Sequence, residues 1–113
     1  MRTNIVTRGF DNAQTLREYI RYRLGFALGR TGKDLRAISV RLDDVNGPRG
    51  GNDKRCTIQL AVPGRPSVIV RTLHSSIHAA IDLAAHRAEL ALNKLLTRER
   101  RYLRQPMPAM LAE

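Results

Sequence analysis

The spacing of apolar and polar positions divides the chain into six elements. Asn4 to Phe10 mixes the two kinds of side chain up to Gly9 and predicts a short first strand. From Asp11 to Arg30 the apolar residues Leu16, Ile20, Leu24, Ala27 and Leu28 recur at helical spacing, with Tyr19, Tyr22 and Phe26 widening the stripe. Asp11 with Gln14 offers a variant of the capping box at the start of this helix, and Gly29 and Gly32 close its end. Leu35 to Val45 alternates: Ile38, Val40 and Leu42 face one way, Ala37, Ser39, Arg41 and Asp43 the other, as in a half-buried strand.

A loop of turn formers, Asn46 to Asn52, leads to a third strand from Arg55 to Val62. Cys56, Ile58, Leu60 and Val62 point inward there, and Thr57 and Gln59 outward. Pro63-Gly64-Arg65-Pro66 is a tight turn, so the next strand, Ser67 to Leu73, forms an antiparallel hairpin with it. Ser75 or Ser76 caps a long last helix that runs to about Tyr102, with Ile77, Ile81, Ala84, Ala88, Leu92 and Leu95 as its core stripe. Pro106 and Pro108 end it, and residues 105–113 are expected to be a flexible C-terminal tail. The order is β-α-β-β-β-α. Each helix has one apolar stripe, which predicts an α+β fold: a four-stranded sheet with two helices packed on one face. At 113 residues the chain fits one domain, assigned to residues 1–104.

Charge narrows the function. Lys and Arg number 20 against 10 Asp and Glu, a formal charge of +10, and all but Lys33, Lys54 and Lys94 of the cations are Arg. Arg keeps its charge and offers a planar fork that suits phosphate, so a domain this basic points to a polyanion. Along the last helix, Arg87, Lys94, Arg98 and Arg101 fall within about 60° of one another and form a stripe roughly 20 Å long. Glu89 and Glu99 are the only acids from residue 83 to 104, fewer than a merely solvated face would carry. Arg17 and Arg21, one turn apart, make a second patch with Arg23, balanced by Glu18 alone. Lys54 and Arg55 add charge beside the Gly-rich loop, which either moulds to a phosphate backbone or is only a hairpin tip.

Other chemistry finds few residues. Cys56 builds no disulfide framework, the N-terminus has no apolar run of a signal peptide, and no stretch reaches the length of a membrane span. A cytoplasmic protein without membrane partners is therefore expected. His78 and His86 stand two helical turns apart, too far to share an ion, and no Cys or Asp completes a metal set with His74. Asp82 is placed by the helix dipole rather than for base chemistry, and no nucleophile elbow or P-loop is present. No enzyme, metal, cofactor or small-molecule substrate is expected.

The last helix also carries a resemblance. Ser76-Ile77-His78-Ala79-Ala80-Ile81-Asp82-Leu83, followed by Arg87, Lys94 and Arg98, resembles the ribosome hibernation-promoting factor family, which includes the ribosome-associated inhibitor A proteins and is also known as the sigma-54 modulation family. Leu16-Arg17-Glu18-Tyr19-Ile20 looks like that family's Leu-Arg-Glu-Tyr-Val segment, and the element order is also the family's. His78 stands where the family has Tyr, Leu90 and Leu96 where it has basic residues, and Ala13 where it has a Thr cap. The resemblance implies a short-form member without a further dimerisation domain. It implies binding, as a monomer, to the small ribosomal subunit and its 16S-type rRNA in the channel of mRNA and tRNA, with translation blocked. Two alternatives remain open: a binder of another structured RNA, and a protein-interaction regulator that uses exposed Leu83, Leu90 and Leu96.

Overall fold

The computed structural model describes residues 2–29, 32–45 and 53–104, and for residues 34 and 99–104 the backbone alone. The elements follow the expected order: β1 (Arg2–Arg8), α1 (Ala13–Leu28), β2 (Ala37–Asp44), β3 (Lys54–Ala61), β4 (Val68–His74) and α2 (Ile77–Arg104), with a 3-10 turn at Gly32–Asp34. The strands form a mixed sheet in the order β1-β2-β3-β4. β1 runs parallel to β2 across the α1 crossover, and β2–β3 and β3–β4 are antiparallel. The expected loop at 46–52 and the tail at 105–113 lie outside the described residues.

One core joins the sheet to both helices. Ile38, Val40 and Leu42 from β2 and Cys56, Ile58 and Leu60 from β3 meet Leu16, Ile20 and Leu24 of α1 and Ile81, Ala84, Ala88 and Leu92 of α2. The alanines Ala80, Ala84, Ala85 and Ala88 are fully buried, so α2 lies close on β3 and β4. Thr72 ties this packing together: its hydroxyl donates to the Ala80 carbonyl at 2.8 Å, joining β4 to the first turn of α2. Burial pushes the Cys56 thiol up to about 12.

Several local expectations change. β1 begins two residues before the start that the pattern implies, because pairing with β2 extends to Arg2 opposite Ala37. It ends at Gly9, whose φ of 84° breaks the strand and whose added Cβ would stand 3.0 Å from Asp44 Cβ. No capping box forms on α1: Asn12 is the N-cap without a side-chain bond, and Gln14 bonds Glu18 instead. Ser76 does cap α2, accepting from the Ala79 amide at 3.4 Å.

Tyr22 and Phe26 do not widen the α1 stripe. They are 72% and 81% exposed, since at about 100° per residue both lie on the far side of the helix from Ile20 and Leu24. Asp43, outward by alternation, is nevertheless only 7% exposed, because Arg41 and Arg55 fold over it.

Candidate nucleic-acid interface

Packing on α2 decides which of its cations are free. The buried line through Ala84, Ala88 and Leu92 faces the sheet, while His78 and Asp82 face α1. Arg87, Lys94 and Arg98 therefore fall on the opposite flank, turned away from α1 on the β4 side of the helical layer. All three are exposed, and none forms an ion pair with a described residue. The line they make spans about 16 Å at the helical rise. Arg101 continues the same line along the backbone of α2. Leu90, 53% exposed, interrupts it between Arg87 and Lys94.

The α1 cations do not join that line. Tyr19 and Arg23 lie on the flank toward α2, where both engage Asp82. The Tyr19 hydroxyl donates to the Asp82 carboxylate, and Arg23 Nε stands 3.4 Å from Asp82 Oδ1. The His78 ring packs edge-on against Tyr19, with centroids 4.9 Å apart. The carboxylate acceptor raises the Tyr19 phenol above its ordinary pKa, with burial adding to the shift. Asp82 is thus a clasp between the helices, a role beyond the dipole placement expected from sequence.

Arg17 and Arg21 sit on the other flank of α1, roughly half a turn of the helix away. Arg21 lines a cleft with Leu24, Gly25, Leu28, Thr3 of β1 and Ile38 of β2. The two helical patches consequently border opposite sides of the helical layer, with Tyr22 and Phe26 exposed between them.

Lys54 and Arg55, adjacent in sequence, point to opposite faces of the sheet. Lys54 Nζ lies 3.0 Å from Asp53 Oδ1 and 3.1 Å from Asp44 Oδ2, so two carboxylates offset its charge. The bond to Asp53 is the main reason its ammonium is raised above the ordinary value. Arg55 lies on the open face, where its Nη2 meets Asp43 at 3.3 Å. Arg41 and Arg71 join it there, and neither was singled out from the sequence as a site residue. The alternation of β2 puts Arg41 outward, but Val68-Ile69-Val70 is a continuous apolar run, so only the register places Arg71 beside Arg41.

Among the described residues no three His, Cys, Asp or Glu side chains gather where a metal could be held, and no helix is long and apolar enough to cross a membrane.

These features define a small α+β module that displays arginine on both sides of one sheet. Its sequence matches the profile of the Sigma 54 modulation protein / S30EA ribosomal protein family over residues 3–100. The chain belongs to that family, as the motifs of its two helices suggested, and so to a group of ribosome-associated proteins that regulate translation.

Solved structures share the fold. A ribosomal subunit interface protein from Coxiella burnetii superimposes with a TM-score of 0.70 at 18% identity, covering 86% of this chain and 99% of that one. The N-terminal domain of Protein Y from Thermus thermophilus gives 0.65 at 22% identity, covering 81% of this chain and 94% of that one. No curated protein sequence matches.

Proposed function

We propose that this protein is a translation inhibitor of the hibernation type, which binds the small ribosomal subunit in the channel of mRNA and tRNA. The observation that carries the proposal is the exposed line of Arg87, Lys94 and Arg98 on one flank of α2, with no acid among the described residues to neutralise it. Family membership supplies the ribosome as the partner. Structured RNA is recognised largely through its backbone and shape, so a rigid row of cations on a helix is suited to 16S-type rRNA without reading bases.

In this reading Arg87, Lys94, Arg98 and Arg101 make the principal phosphate contacts, and Arg17 and Arg21 contribute from the far side of the helical layer. Arg55 acts from the sheet, and Lys54 mainly holds Asp44 and Asp53 in place. The protein works by occupancy, as a monomer in the cytoplasm, without cofactor or small-molecule substrate. Residues 1–104 are the binding domain and 105–113 a tail.

Co-sedimentation with isolated small subunits at low and near-physiological salt tests this. Saturable binding of about one copy per subunit, surviving physiological salt and displaced by tRNA, is the expected result; each phosphate contact adds roughly one unit to the salt slope. Binding that vanishes with salt, or that any free RNA displaces equally, would leave only non-specific charge attraction.

A further inference from the structure

Among the described residues the helices cover one face of the sheet and leave the other bare. Register places Arg2 and Arg8 of β1, Arg41 of β2, Arg55 of β3 and Arg71 of β4 on the bare face, against the single strand carboxylate of Asp43. Arg41, Thr57 and Arg71 stand in one row across three strands, so the two arginines are about 10 Å apart at the backbone. Together with Asp43 and Arg55 they line a depression of about 350 Å³.

The depression is built rather than incidental. Asp43 accepts from Arg41 Nε and Arg55 Nη2, at 3.4 and 3.3 Å, and so holds both guanidinium groups over it. Arg71 has no carboxylate partner among the described residues. Three guanidinium groups around one carboxylate leave an excess of positive charge at a fixed point. Val6, Ile69 and Leu73 are exposed on the same face and offer apolar contact beside the charge.

We infer that the bare sheet face is a second binding surface for a sugar-phosphate backbone of RNA, centred on Arg41, Arg55 and Arg71. The inference rests on the reading that the partner is structured RNA, and goes beyond it: the domain holds RNA on two sides at once. Charge complementarity selects the occupant. A second copy of this chain, docked face to face, would bring arginine against arginine, and an ordinary mixed-charge protein surface would leave the excess unpaired. None of the four strands puts an aromatic side chain on this face for stacking, so the contact is to phosphates rather than to bases.

The test uses the full chain and a short RNA duplex, in two labelled forms that report energy transfer when one protein joins two duplexes. Arg41→Gln with Arg71→Gln leaves the Asp43–Arg55 pair in place. It should weaken duplex binding about tenfold, lower the slope of log affinity against log salt by about two, and abolish bridging. Thr57→Glu, which puts a carboxylate into the depression, should do the same, and thermal melts of both variants check that they fold. Arg87→Gln with Lys94→Gln and Arg98→Gln should abolish bridging but retain residual binding, which Arg41→Gln and Arg71→Gln then remove.

If the folded sheet variants keep wild-type slope and bridging, or if the α2 variant binds nothing, the second surface does not exist, although the α2 reading stands. If instead the α2 variant binds like wild type while the sheet variants lose affinity, the sheet surface stands and the α2 reading fails.

Discussion

The two helices carry cations at similar density, three in the 16 residues of α1 and six in the 28 of α2, and use them differently. On α2, Arg87, Lys94 and Arg98 share the one flank that meets neither the sheet nor α1, so all three stay free of acids among the described residues. On α1 the cations are divided. Arg23 is engaged with Asp82 at the helix–helix seam, and Arg17 and Arg21 lie on the flank away from it. Charge density alone does not distinguish the helices; the position of each cation relative to the neighbouring element does. A charge at a packing seam stabilises the fold, and the same charge half a turn away is available to a partner.

That contrast can be broken most severely on α2. Arg87→Glu, Lys94→Glu and Arg98→Glu together should lower affinity for small subunits by at least about a hundredfold and flatten the salt dependence by about three units, as read by co-sedimentation. Unchanged binding would remove the α2 line from the interface. Leu90→Glu, by contrast, should cost less than Arg98→Glu; the reverse order would favour a protein partner over RNA.

The seam is the next largest effect, on stability instead of binding. Asp82→Ala leaves the Tyr19 hydroxyl and Arg23 without their acceptor and should destabilise the fold by about 1–3 kcal/mol in chemical denaturation, while subunit binding stays within about threefold of wild type. A loss of binding without loss of stability would mean that Asp82 positions RNA-contacting groups.

Smaller still is the far flank of α1. Arg17→Gln with Arg21→Gln should weaken subunit binding about threefold to tenfold, less than the α2 changes, with a salt slope lower by about two at most.

The smallest effect is a pH dependence. The Tyr19 phenol is raised in the folded state, so its contribution is present below its ordinary value near 10 and is lost as pH rises through the raised one. Tyr19→Phe should make the melting temperature less sensitive to alkali above about pH 10, and an unchanged profile would show that the phenol does not ionise at the seam.

Much of the frame was legible in the residues. Alternation marked Ile38, Val40, Leu42, Cys56, Ile58 and Leu60 as inward, and all are buried; Ser75 or Ser76 was readable as the α2 cap, and Ser76 fills that place. These are local properties, in which a period of two or 3.6 residues assigns a face. What escaped was relational. Tyr19 and Asp82 are 63 residues apart, and no periodicity announces that α1 and α2 meet there. Arg41 was visible as an outward residue, but its gathering with Arg71 across Thr57 needs the register of three strands. Tyr22 and Phe26 were assigned inward because they are aromatic, although the helical angle already placed them outside. Composition outweighed geometry there, and geometry was correct.

The depth at which Cys56 lies has a consequence for how the protein ages. Thiolate is the form that oxidants and alkylating reagents attack, and a thiol near 12 supplies on the order of one thiolate in 10⁵ at neutral pH. Its side chain is also sealed between the sheet and the helices, so reagent reaches sulfur only when the core opens. The folded chain thus carries no thiol open to slow oxidative damage among its described residues. The same seclusion makes Cys56 a clock: its alkylation in dilute iodoacetamide counts how often the folded core comes apart.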